Sequence, residues 1–175
     1  MIVRLEEPRD REAALAVERS AFESAEEAEI VRAVRDEPGS FALVAAEEGV
    51  VVGHVQMSRA WIGGTDVVAL GPIGVQPERQ RMGIGSALIR AALEEARRLG
   101  CPAVILLGNP DLYHRFGFEP ASAYGLRNPF AGVMPDGFVI REEDFMLAPL
   151  DERVGSLRGP VRWHEVFGQP SSPIG

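Results

Sequence analysis

Between Asp66 and Gly108 the chain runs through an apolar stretch, a helical pattern and a second apolar stretch, joined by short connections. "DVVALGPIGV" (66–75) reads as a strand, the segment from Gly83 to Leu99 as a helix, and "AVILLG" (103–108) as a short, fully apolar strand. Ile84, Leu88, Ala91, Ala92, Ala96 and Leu99 keep helical spacing, and Gly100 followed by Pro102 gives a stop. A strand–helix–strand crossover of this length forces parallel pairing of the two strands, with the helix laid back on the sheet. The rest of the chain has to be arranged around that unit.

Residues 8–35 read as two helical pieces. Ala13, Ala14 and Val17 give one apolar face, Phe22 falls in the turn, and Ile30, Val31 and Val34 give the next face. "DEPGS" (36–40) closes the region with Pro and Gly. "FALVAAE" (41–47), an "EG" turn and "VVVGHVQMSRAWI" (50–62) predict a hairpin, and "GGT" turns the chain into the strand at 66–75. From there to about Leu150 small strands alternate with Pro/Gly turns, and "GQPSSPIG" at the end reads as a loose tail.

The charge balance narrows the function. A formal net charge of −8 disfavours a nucleic-acid binder, which needs a basic stripe, and weakly favours cationic small molecules. All 18 basic residues are Arg, so a Schiff-base lysine and a P-loop lysine are excluded. No apolar run approaches the ~20 residues that span a bilayer. The N-terminus is too charged for a signal-peptide core, and the single Cys101 cannot form an internal disulfide. A cytoplasmic protein is expected. Three scattered His and one Cys give no metal-ligand spacing, so no metal is expected. Cys101 reads as a buried strand-start residue and His114 as exposed, while His164 falls in the weakly patterned tail.

The loop "QRMGIGS" lies directly after a strand and opens a helix. Helix N-termini expose N–H groups without internal acceptors, and the macrodipole adds positive potential there. Gly83 and Gly85 would let an anion approach that backbone, Arg79 and Arg81 add charge, and Ser86 adds a hydroxyl. A P-loop is ruled out by the missing lysine, and a dinucleotide fingerprint by Leu88 standing where a third glycine belongs. Pro72 and Gly74 inside the preceding strand suggest a bulge that splays it from its parallel neighbour. The freed backbone groups could then pair with a linear, amide-bearing ligand as an extra strand does. A pyrophosphate with a peptide-like arm describes coenzyme A.

"VQPERQRMGIGSALI" resembles motif A of the GCN5-related N-acetyltransferases, the GNAT superfamily, with signature Q/R-x-x-G-x-G/A at Gln80, Gly83 and Gly85. "NPDLYHRFGF" resembles the next family motif, in which Tyr113 stands four residues before Gly117-Phe118. Together with "LGPIGVQPE" and "AYGLRNPF" these segments are similar to the YhbS-type subfamily of N-acetyltransferases. The resemblance covers residues 1–150 as one GNAT domain and leaves 151–175 as a C-terminal extension.

The resemblance implies an α/β (α+β) fold with a mostly antiparallel sheet and one splayed parallel pair, flanked by helices. It implies acetyl-CoA as co-substrate, direct attack by a primary amine of a small molecule or peptide, and a homodimer as one assembly. Backbone groups of Ile73, Gly74 and Val75 would hold the pantetheine arm. Those of Gln80, Arg81, Met82, Gly83, Ile84, Gly85 and Ser86 would hold the pyrophosphate. Tyr113 would be the acid for the leaving thiolate, against a reading in which it only packs on the core. Asn109 has a family counterpart on the pantetheine, but it lies closer to Tyr113 than the usual spacing.

For the base, "VVALGPIGV" offers no glutamate. Glu23, Glu26 and Glu27 at the first helix–helix turn are candidates, as is His54, which strand alternation puts on one face with Gln56 and Ser58. The alternatives are a solvated helix face for the glutamates, a hydrogen-bonded strand histidine for His54, and a water chain as base. Beside the enzyme stand two other readings, a non-catalytic acyl-CoA-binding or sensing module on the same fold and a nucleotide-binding α/β enzyme.

Overall fold

The computed structural model describes residues 1–168. In chain order it runs β1 (Ile2–Leu5), α1 (Arg11–Phe22), α2 (Glu26–Val34), β2 (Phe41–Glu47), β3 (Val50–Ile62) and β4 (Thr65–Val75). There follow α3 (Ile84–Arg98), β5 (Ala103–Leu107), α4 (Pro110–Tyr113), β6 (Glu119–Pro120), β7 (Gly132–Val133), β8 (Val139–Ile140), β9 (Phe145–Pro149) and β10 (Val161–Arg162). One sheet has the order β1-β2-β3-β4-β5-β9-β6, with β10 pairing the far end of β3, and β7–β8 is a separate hairpin. All neighbours are antiparallel except β4 and β5, the pair that the crossover demands.

Alternation along β3 sorts the two faces of the sheet. Val55 and Met57 join the core under α3, with Leu43, Leu70, Val104 and Leu106. From α3 come Ile84, Leu88, Ile89, Ala92, Leu93 and Ala96. Burying each large member of this set stabilises by about 1.5–3 kcal/mol. Gly53, on the same face, sits so close that an added Cβ would lie 2.9 Å from Ile84 Cγ2 and 3.0 Å from Leu88 Cδ1. The missing side chain seats the start of α3 on the sheet.

The opposite face carries α1 and α2 at one side. At the other, Ala60, Ile62, Ile105, Phe145 and Leu147 meet Ala121, Leu126, Leu157 and Val161. Residues 151–162 thus return over the sheet, and Arg153 donates to the Gly100 carbonyl and to Asp151. The loose tail expected from Gly168 onward lies, but for that residue, outside the described residues.

Two helix faces differ from the sequence pattern. On α1 the buried residues are Ala14, Leu15, Val17 and Glu18, while Ala13 is exposed. Phe22 is the last residue of α1 rather than part of the turn. On α3, Leu99 stands just beyond the last turn and is 50% exposed, and Ile89 and Leu93 fill the face instead. Cys101 is half-buried, not buried.

The strand with Pro72 and Gly74 bulges as its residues suggest. Val55 pairs with Ile73 and Met57 with Leu70, so Gly71 and Pro72 of β4 stand opposite the single Gln56 of β3. The parallel pairing with β5 is confined to Val68–Val104 and Ala69–Ile105. Beyond it β4 keeps β3 on one side and diverges from β5 on the other.

Candidate active site

A cleft of about 350 Å³ opens where β4 leaves β5. Its floor is Ile73, Gly74 and Val75 of β4. One wall is the start of α3, another is Ala21 and Phe22 at the end of α1, and Tyr113 and Arg115 stand across from it.

The turn into α3 is shaped by backbone conformation. Arg81 has φ +62° and Gly83, the N-cap, has φ +85°. Glycine takes such a value without strain, and arginine does so only in a tightly held turn. Gln80 Nε2 donates to the Val75 carbonyl at 3.1 Å, tying the loop to the strand end. Ala87 N–H bonds to Gly83 O at 3.0 Å, so the N–H groups of Ile84, Gly85 and Ser86 precede the helical ladder.

A Cβ built on Gly85 would find only Val75 Cγ2, at 3.9 Å. Glycine in a helix is disfavoured by about 1 kcal/mol relative to alanine, yet no protein atom uses the room it leaves. The backbone of the turn is therefore bare towards the cleft. Arg81 and Arg115 line the same end, and Arg79 does so while paired to Glu47 at 3.0 Å. Met82 is 61% exposed and outside the cleft lining.

Tyr113 is held from two sides. Its ring meets Phe118 edge-on at 5.9 Å, and a Cβ on Gly108 would fall 2.5 Å from its Cε2. Burial pushes its phenol pKa up, so the hydroxyl carries its proton at neutral pH. Asn109 does not join it. Its Oδ1 caps α4 by accepting from Asp111 N–H at 3.0 Å, and it lines a different cavity with Phe138 and Ile140.

The candidates for a base separate. Glu23 is the exposed C-cap of α1 with φ 52°, and Glu26 is exposed at the start of α2. Glu27 is half-buried, with a buried Oε2 that meets no hydrogen-bond partner. His54 is wholly buried with Gln56 and Ser58, on one face as the alternation requires.

The partner of His54 is Glu18, which sequence reasoning passed over. Glu18 Oε1 lies 2.6 Å from His54 Nδ1, both side chains fully buried. Glu18 Oε2 has no hydrogen-bond partner and points at Gly74, where an added Cβ would come within 2.8 Å of it. Burial raises the Glu18 pKa, the His54 hydrogen bond opposes this, and the nearby Glu27 adds to the rise. The available signal was helix phase, since Glu18 falls four residues after Ala14 and three after Leu15 on the buried stripe. His54 Nε2 is 3.7 Å from Glu6 Oε1, and Glu6 pairs with Arg35 at 3.1 Å.

Among the described residues no group of three or more His, Cys, Asp or Glu could hold a metal ion, and no helix is long and apolar enough to cross a membrane.

A strand that parts from its parallel neighbour beside a glycine-opened helix is the working arrangement of an acyl-CoA acyltransferase. The model of the acetyltransferase (GNAT) family matches residues 9–118, a span that includes both the glycine loop and Tyr113. The chain belongs to that family and is an acetyltransferase. It is 33% identical over 174 residues to the "Uncharacterized N-acetyltransferase YhbS" of Escherichia coli K12, covering 97% of this chain and 99% of that one. Among solved structures it is similar to E. coli YhbS in complex with CoA, with TM-score 0.83, 31% identity, and 96% and 92% of the two chains covered. It is also similar to a GNAT acetyltransferase from Brucella melitensis in complex with acetyl-CoA, with TM-score 0.73, 30% identity, and 95% and 97% covered.

Proposed function

We propose that this acetyltransferase moves the acetyl group of acetyl-CoA to a primary amine of a small molecule or peptide by direct attack. The observation that carries the reading is the single cleft joining the free edge of β4 to the bare N-terminus of α3. The pantetheine arm would lie along Ile73, Gly74 and Val75 as an added strand. The pyrophosphate would accept from the N–H groups between Gln80 and Ser86, with Arg81 and Arg115 beside it. The co-substrate supplies an activated thioester; the protein positions it, polarises its carbonyl through a β4 N–H, and protonates the departing sulfur from Tyr113. Asn109, whose Oδ1 caps α4 and which lines a different cavity, is given no contact with the pantetheine in this scheme. The half-buried lone thiol of Cys101 suits a reducing compartment, so the proposed location is the cytoplasm.

The test is calorimetric binding of acetyl-CoA to wild type and Gly85→Val, with circular dichroism as control. Val at 85 fills the cradle without a forbidden φ, so binding is expected to weaken by about 100-fold or more while the fold persists. Undiminished binding would refute the site. Gly83→Val is a poorer probe, because its positive φ strains any side chain. Acetyl-CoA binding without transfer to any amine would mark a sensor in place of an enzyme.

A further inference from the structure

We infer that Glu18, held by His54, accepts the proton of the attacking amine, through one intervening water. The inference rests on the proposed acetyl transfer and adds the group that reaction needs. Four observations carry it. A carboxylate and an imidazole are fully buried and 2.6 Å apart, an arrangement that fixes the carboxylate in one orientation. The second carboxylate oxygen is left without a partner, which is unfavourable in a folded interior unless something else uses it. That oxygen faces Gly74, the β4 residue on the floor of the cleft, and only a glycine there gives it room. Glu18 also lies one helical turn before Ala21 and Phe22, which form the cleft wall on α1.

The charged groups around the pair are few. α2 contributes Glu27, whose Oε2 is also buried and unpartnered, and Arg35, just past its end, pairs with Glu6. The segment after β1 brings Glu6 towards His54 Nε2, β3 brings His54 itself, and β4 brings only backbone. Two unpartnered carboxylate oxygens close together favour a cationic acceptor beside them and disfavour an anionic one. In the reaction the amine nitrogen forms the C–N bond at the thioester carbonyl carbon and the C–S bond breaks. The nitrogen attacks as the neutral amine, its ammonium proton having first gone to bulk water; the proton it sheds on attack passes through the intervening water to Glu18 Oε2, and the Tyr113 proton goes to the CoA sulfur. Exchange with solvent then restores both groups. Burial raises the Glu18 pKa, so the rate should climb with pH as the carboxyl ionises.

The experiment measures acetyl transfer from acetyl-CoA to n-butylamine, spermidine and a peptide with a free N-terminus across pH, with calorimetric acetyl-CoA affinity beside it. Glu18→Gln keeps the acceptor for His54 Nδ1–H and removes a buried charge, so its melting temperature should equal or exceed wild type. Its kcat is expected to fall by about 100-fold and its acid limb to vanish, while acetyl-CoA affinity stays within about twofold. Glu18→Asp should recover part of the rate, and His54→Gln should displace the acid limb with a smaller loss. A Gln variant that binds acetyl-CoA and matches wild type in kcat and pH profile overturns the inference alone. Wild-type protein that does not bind acetyl-CoA overturns the underlying reading and takes the inference with it.

Discussion

Tyr113 and Glu18 show how differently two residues of one cleft are written in a sequence. Tyr113 is singled out by its place four residues before Gly117-Phe118, the spacing of the family motif it resembles, and the structure adds Gly108, which makes room for its ring. Glu18 is hidden because "VERSAFESAEEAEI" is full of glutamates, most of which face solvent. Only the phase of α1, which the exposed Ala13 obscures, separates Glu18 from them. His54 gave a partial signal through its alternation with Gln56 and Ser58, but its partner lies 36 residues away in the chain. At this scale Tyr113→Phe is the informative change. The Phe ring keeps the contact with Phe118 and loses only the hydroxyl. We expect kcat to drop by about 10- to 100-fold with KM for acetyl-CoA nearly unchanged, read by thiol release. Wild-type turnover in that variant would return Tyr113 to a packing role.

Elements were more legible than residues. The crossover from β4 through α3 to β5 is forced by strand handedness and helix packing, and Pro72 with Gly74 marked the bulge that opens it. The four short strands after α4 carry too few residues for a period to register. The way α3 meets the sheet also escaped, because a glycine inside a strand does not say which neighbour needs the space. Gly53 is that case. A Gly53→Ala methyl would press on Ile84 and Leu88 and tilt the start of α3 away from the sheet. Urea denaturation should show a loss of about 1–3 kcal/mol, and acetyl-CoA affinity should fall with it, since the displaced turn carries the proposed anion cradle. Full stability in the Ala variant would mean that α3 has slack at this point.

Across the whole molecule, the sequence implied a mixed sheet with helices on both faces. It did not reveal that residues 151–162 return to cover the face beside α1 and α2. Their contacts are long-range: β10 pairs with β3, and the adjoining Trp163 meets Phe130 and Phe145 edge-on. No local pattern encodes a segment whose partners are distant strands. The result is a sheet covered on both sides and parted at one place, between β4 and β5, where backbone, helix terminus, tyrosine and buried glutamate converge. The most direct measurement of that claim is a crystal structure of the protein with acetyl-CoA. The expected complex has the pantetheine amides paired with β4 between Ile73 and Val75, and the pyrophosphate within hydrogen-bonding distance of N–H groups from Gly83 to Ser86. Acetyl-CoA bound away from the α3 terminus, or with its arm unpaired to β4, would contradict the account.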